Sequence, residues 1–142
     1  MRRAFLVLIA AALSACSVGP RPIRYGEDEC AHCRMRIMDP RFGAEAVTAK
    51  GRQMPMDSVE CLLDWLAESD EEMRSLWVTD YSTKQLIAAE TAIYLESEHL
   101  PSPMGAGVSA YATRELAEQA LRDYPGRLLD WTELKASGLS VK

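Results

Sequence analysis

The chain lacks the patterns on which most catalysis is built. It has no Ser-His-Asp arrangement, no phosphate loop and no H-E-x-x-H, and its two histidines, His32 and His99, stand alone. Hydrolysis by an activated serine, nucleotide chemistry and zinc-protease chemistry therefore have no residues to run on. A second CxxC is missing too. Structural zinc wants four Cys or His ligands, and beyond the N-terminal segment the sequence offers Cys30, His32, Cys33, Cys61 and His99 without the paired spacing. No apolar run reaches the roughly 20 residues needed to span a bilayer. Positive charge is not in excess, with 16 Lys+Arg against 21 Asp+Glu, so the composition argues against a nucleic-acid partner. The stretch Glu68-Ser69-Asp70-Glu71-Glu72 reads as solvated acidic surface.

What is present begins with an address. Met1-Arg2-Arg3 is followed by an uncharged apolar run, Ala4 to Leu13, which fits a signal-peptide core. It ends in Leu13-Ser14-Ala15-Cys16, which resembles the bacterial lipobox. Residues 1–15 are expected to be a lipoprotein signal peptide, with Cys16 lipidated and residues 16–28 forming a tether in which little can pack. Each acyl methylene buried in a membrane adds about 0.8 kcal/mol of anchoring. Ser17, rather than Asp, after the cysteine favours the outer over the inner membrane, on the periplasmic side of the cell envelope. The competing reading is an ordinary secretory signal with a chance cysteine behind it. Without residues 1–15, 127 of the 142 residues remain, a length typical of one domain. Loss of Arg2 and Arg3 takes the formal net charge from −5 to −7, which mildly favours cationic cargo or a basic partner.

Hydrophobic periodicity and turn residues predict the elements. Ala44 to Ala49 reads as a strand, Lys50-Gly51 as a turn and Gln53 to Met56 as the return strand of a hairpin. Asp57 is expected to cap a helix, with Glu60 closing a capping box and Val59, Leu62, Leu63 and Leu66 forming its apolar face to about Ala67. Strands follow at Leu76 to Tyr81 and Ala89 to Leu95, then a Pro/Gly loop from Leu100 to Gly107. A strand at Val108 to Ala112 leads to a helix from Arg114 to Asp123 capped by Thr113, a stop at Tyr124-Pro125-Gly126, an edge strand at Leu128-Leu129 and a short helical tail. The repeated order predicts an α+β fold of two similar ββα-type halves, about 29–73 and 74–134, packed as one compact domain over 29–142.

Cys30-x-x-Cys33 leaves three chemistries open: a disulfide, a thioredoxin-like redox pair and a metal site. A redox pair normally opens a helix after a strand, and no strand precedes this motif. Met35 tilts the balance toward metal, because a thioether is a poor ligand for Zn²⁺ and a good one for Cu(I). If the segment is extended, Cys33 and Met35 project to the same side. Further sulfur lies in Met38, Met54, Met56 and Met104, the last held between Pro103 and Gly105 in a loop where core filler is less expected. Met73 and at least one of Met54 and Met56 read as core. Cys61 reads as a small buried thiol off the apolar stripe of its helix. His32 and His99 are each a possible nitrogen ligand or a solvent-exposed side chain.

Taken together, the lipobox, Cys30-x-x-Cys33-x-Met35-x-Ile37, Met56-Asp57-Ser58-Val59-Glu60-Cys61 and Pro101-Ser102-Pro103-Met104-Gly105 resemble the NosL family, over about residues 29 to 131. The resemblance implies a membrane-anchored periplasmic Cu(I) chaperone, not an enzyme. It would supply copper for the copper–sulfide cluster of nitrous oxide reductase through a membrane-associated ABC-type maturation complex with a periplasmic subunit. It also implies an α+β fold of two ββα-containing halves, related to a domain of organomercurial lyases. By position it puts Cys33 and Met35 on the metal and carries Cys30 as a further candidate. Met104 is added from its loop, and Asp57 carries no assigned role. The alternatives from other classes are a thiol-disulfide oxidoreductase or organometal-lyase-like enzyme using Cys30 and Cys33, and a structural module whose CxxC is a disulfide.

Overall fold

A computed structural model of the chain describes residues 19–139. The expected signal peptide and Cys16 lie outside them. Strands β1 (Ala44–Thr48) and β2 (Gln53–Met56) form an antiparallel hairpin, turned at Gly51 with φ +83°. Helix α1 (Val59–Glu68) follows, then β3 (Met73–Thr79), which returns to pair antiparallel with β1, and β4 (Leu86–Ala88), which pairs with β3. This sheet has the order β2-β1-β3-β4. A second antiparallel sheet, of order β6-β5-β7, holds β5 (Ile93–Glu96), β6 (Val108–Tyr111) and β7 (Arg127–Leu129). Helix α2 (Arg114–Asp123) lies between β6 and β7 in sequence, and α3 (Trp131–Ala136) ends the fold. The order hairpin-then-helix thus occurs twice, as β1-β2-α1 and β5-β6-α2, in one α+β domain.

The predicted Ala89–Leu95 strand is divided, and the division joins the two sheets. A 3-10 turn at Ala89–Thr91 carries the chain from β4 in one sheet to β5 in the other. Along β5 the side chains then alternate between two cores. Tyr94 enters the main one, while Leu95 packs with Tyr111 and Ala117 beneath α2. The buried carboxylate of Asp80 fastens the sheets together. Its Oδ1 accepts the Ser82 N–H at 2.8 Å, its Oδ2 accepts the Ala112 N–H at 3.0 Å, and the neighbouring Tyr81 N–H bonds Ala110 O at 2.8 Å. β3 starts at Met73, earlier than hydropathy alone suggests, because Met73 to Val78 pairs along the whole of β1.

Two further expectations change. The helix cap is Ser58, not Asp57. The Asp57 carboxyl is buried and held by the amide of Met38, while Ser58 Oγ accepts the Cys61 N–H at 3.4 Å. With Ser58 as cap, Glu60 falls one position short of a capping box; the box forms instead at α3, between Asp130 and Glu133. The segment read as unpacked tether packs from residue 19 onward. Ile23 joins the main core, Gln53 Nε2 donates to Gly19 O at 2.7 Å, and the Arg21 N–H bonds the buried Glu45 Oε1 at 2.9 Å. Gly43 makes room for it, since a Cβ there would stand 2.8 Å from both Ile23 Cδ1 and the Tyr25 hydroxyl.

Candidate metal centre

The CxxC motif forms the tip of a tight hairpin laid on β2. Glu29 and Arg36 make an antiparallel bridge, the Ile37 N–H bonds Asp28 O at 2.9 Å, and the Cys30 N–H bonds Met35 O at 2.8 Å. Arg34 turns the tip with a left-handed backbone, φ +65°, and its N–H returns to Cys30 O at 3.1 Å. The Ala31 N–H bonds Pro55 O at 2.8 Å, which fixes the tip to β2. At the base, Asp28 accepts from Arg21 Nη1 at 2.6 Å, from the Arg24 N–H at 2.8 Å and from Arg24 Nη2 at 2.9 Å. Burial pushes the Asp28 carboxyl upward, yet these bonds outweigh it and hold it at about 2.

Because Arg34 is left-handed, Cys33-x-Met35 is not extended, and strand alternation does not set where its side chains point. The two residues are linked otherwise: the Met35 amide donates to the Cys33 sulfur. Met35 is 52% exposed and Met38 64% exposed, the exposed large hydrophobics among the described residues. Met104 lies half-buried in its loop against the main core, Met56 is fully buried there, and Met54 and Met73 pack partly against it.

The third sulfur comes from α1. Capping by Ser58 puts Cys61 in the first helical turn, where free N–H groups and the helix dipole favour negative charge. The sulfurs of Cys30, Cys33 and Cys61 all lie within 4.8 Å of one another, and all three are free thiols. Cys30 and Cys61 are fully buried, and Cys33 is half-buried at the rim. Sequence reasoning treated Cys61 as a buried thiol and missed its place beside the CxxC. The available signal was a cysteine in the first turn of a capped helix, directly after a strand that pairs back toward the motif.

The site favours thiolate unevenly. The Cys61 thiol donates to Cys30 sulfur, as do the amides of Asp57, Cys33 and His32, and despite burial Cys30 is pulled down to about 5. Giving that hydrogen bond pushes Cys61 up, and burial adds to the rise. Burial also raises Cys33, against the Met35 amide. Asp57 is lifted to about 6 by burial and by the negative charge of Cys30. Neither histidine belongs to the sulfur group among the described residues. His32 turns toward α1, with Nε2 3.9 Å from Asp64 Oδ2 and Nδ1 3.6 Å from Glu68 Oε2. His99 is exposed in a surface cleft with Glu96 and Arg127.

Chemically this is a soft cluster of three sulfur donors, two of them buried and one half-buried. Three sulfurs with amide donors suit a soft cation, and the donor set contains no carboxylate or imidazole. No helix among the described residues is long and apolar enough to cross a membrane.

Among solved structures, the chain is similar to the copper chaperone NosL from Shewanella denitrificans, with a TM-score of 0.70 and 21% identity over 82% of this chain and 96% of that one, so the fold is shared. A search of curated proteins finds no match. A family profile, NosL, matches residues 23–139. The chain belongs to the NosL family.

Proposed function

We propose that the chain is a Cu(I) chaperone that is anchored by lipid on Cys16 to the periplasmic side of the cell envelope, at the outer rather than the inner membrane. It delivers copper for the copper–sulfide cluster of nitrous oxide reductase, through an ABC-type maturation complex with a periplasmic subunit. The observation that carries the reading is the cluster of three free sulfurs at Cys30, Cys33 and Cys61, of which Cys33 is only half-buried. Cu(I) accepts two or three sulfur ligands, and an ion reachable from one side can be attacked by a partner's sulfur or imidazole. Met35, exposed and two residues from Cys33, and Met104, half-buried on its loop, are further candidate ligands.

A thiol-disulfide oxidoreductase has one observation in its favour, the low pKa of Cys30. That cysteine is fully buried, however, and a nucleophile must reach its substrate. Anaerobic titration of the reduced protein with Cu(I) against a competing chelator separates the readings. The chaperone reading expects one tight site whose affinity falls in Cys33→Ala and no reduction of insulin. Insulin reduction with copper affinity unaffected by Cys33→Ala would establish the oxidoreductase instead.

A further inference from the structure

Three thiols placed to ligate one ion are also placed to oxidise one another. The sulfurs of Cys30, Cys33 and Cys61 lie within 4.8 Å of one another, and all three are free. Chain geometry divides them. Cys30 and Cys33 share one hairpin tip, closed by the Arg34 N–H on Cys30 O at 3.1 Å, whereas Cys61 comes from the first turn of α1. Exposure divides them again: Cys30 and Cys61 have none, while Cys33 is half-buried. A disulfide arriving from solvent therefore meets Cys33 first. Beside it lies Cys30, whose sulfur receives the Cys61 thiol and the amides of Asp57, Cys33 and His32.

We propose that Cys30 and Cys33 form a reversible disulfide, entered through Cys33, that switches copper binding off and must be reduced before the site loads. The inference rests on the copper-chaperone reading and adds its redox control. The periplasm favours disulfides, so adjacent free thiols there need a dithiol reductant that acts before metal loading. The disulfide takes two of the three sulfur donors. Cys61 is left as a single buried thiol, too few sulfurs for Cu(I). Bound copper works the other way, because it occupies the sulfurs that exchange requires.

The chemistry is two successive exchanges, with an external disulfide as oxidant. The Cys33 sulfur gives its proton to solvent and bonds to one sulfur of that disulfide. The external S–S bond breaks, and the first thiol leaves and takes up a proton. The Cys30 sulfur then attacks the Cys33 sulfur, the mixed disulfide breaks, and the second thiol leaves in the same way. Two electrons pass from the cysteine pair to the external disulfide, which ends as two thiols. Cys61 keeps its proton throughout. A dithiol reductant runs both exchanges backwards.

Oxidised glutathione serves as the probe. The reduced full chain is treated with it anaerobically, desalted, alkylated and mapped by peptide mass spectrometry, and a parallel sample is titrated with Cu(I) against a chelator. The map is expected to show a Cys30–Cys33 disulfide with Cys61 alkylated as a free thiol. Copper affinity is expected to fall by at least about tenfold and to return after reduction and desalting. One equivalent of Cu(I) added beforehand is expected to slow disulfide formation by at least about tenfold. Cys30→Ser should stop with glutathione on Cys33, and Cys61→Ser should still close the disulfide; the wild-type map decides the matter if either variant fails to fold. The inference is overturned if no disulfide forms, if Cys61 is one of its partners, if glutathione stays on wild-type Cys33, or if the oxidised chain binds copper as tightly as the reduced one. In those cases copper binding by the reduced chain leaves the chaperone reading standing. A reduced chain that takes up no Cu(I) sinks both.

Discussion

The thiol of Cys61, on the first turn of α1, donates a hydrogen bond to the sulfur of Cys30, on the hairpin tip. Thirty-one positions in sequence separate them, and the β1-β2 hairpin brings them together by leading straight into the helix while the Ala31 amide holds the tip to Pro55 on β2. Cys30 is accordingly the first thiol to ionise in the metal-free protein, at about 5. Cys61→Ala removes the largest single contribution to that depression. Ultraviolet absorbance of thiolate, followed as pH rises in the reduced, metal-free variant, is expected to show the first ionisation at higher pH than in wild type. An unchanged first step would mean that the backbone amides alone hold Cys30 low.

Asp28 ties the base of the hairpin to Arg21 and Arg24, and its folded-state pKa lies below the usual 3.8 at about 2. A depressed carboxyl stabilises the fold above its unfolded pKa, and that contribution disappears as pH falls through the folded value. The difference corresponds to about 2 kcal/mol at neutral pH, moderated because the Arg24 side chain is largely in solvent. Asp28→Asn is expected to lower unfolding free energy by that order at pH 7, and the two proteins should converge as pH drops from about 4 toward 2. Denaturant titrations across this range provide the check.

The Met104 loop depends on a glycine at its end. Gly107 has φ +70°, its N–H donates to Ser102 Oγ at 2.9 Å, and a Cβ there would lie 2.0 Å from Ser97 O. Ser102 Oγ in turn donates to the buried Glu60 Oε1 at 3.1 Å, joining the loop to the helix of Cys61. Gly107→Ala adds both left-handed strain and a backbone clash, and is expected to cost at least about 2 kcal/mol in urea unfolding. Ser102→Ala, which removes the hydroxyl without a clash, should cost less.

Much of the fold was legible because local signals agreed with the final packing. The hairpin turn at Gly51, the Thr113 cap and the Gly/Pro loop before β6 are set by residues within a few positions of one another. The misread features were decided by distant partners. Asp57 has the chemistry of a cap, but the Met38 amide claims its carboxyl and leaves the cap to Ser58. Ala89 to Leu95 has the hydropathy of one strand, yet the two sheets require a turn inside it. The site divides likewise. The CxxC announces its chemistry in four residues, whereas Cys61 joins it through tertiary contact, and the left-handed Arg34 that sets the tip carries no glycine to betray it.

Native mass spectrometry of the reduced protein, equilibrated anaerobically with equimolar Cu(I) and Zn²⁺, tests whether the chain selects Cu(I) and holds it through Cys33. One copper and no zinc are expected on the wild-type chain, with copper held less fully by Cys33→Ala, in which Cys30 and Cys61 remain. Zinc bound in place of copper, or copper held as fully by Cys33→Ala as by the wild type, is the opposite result.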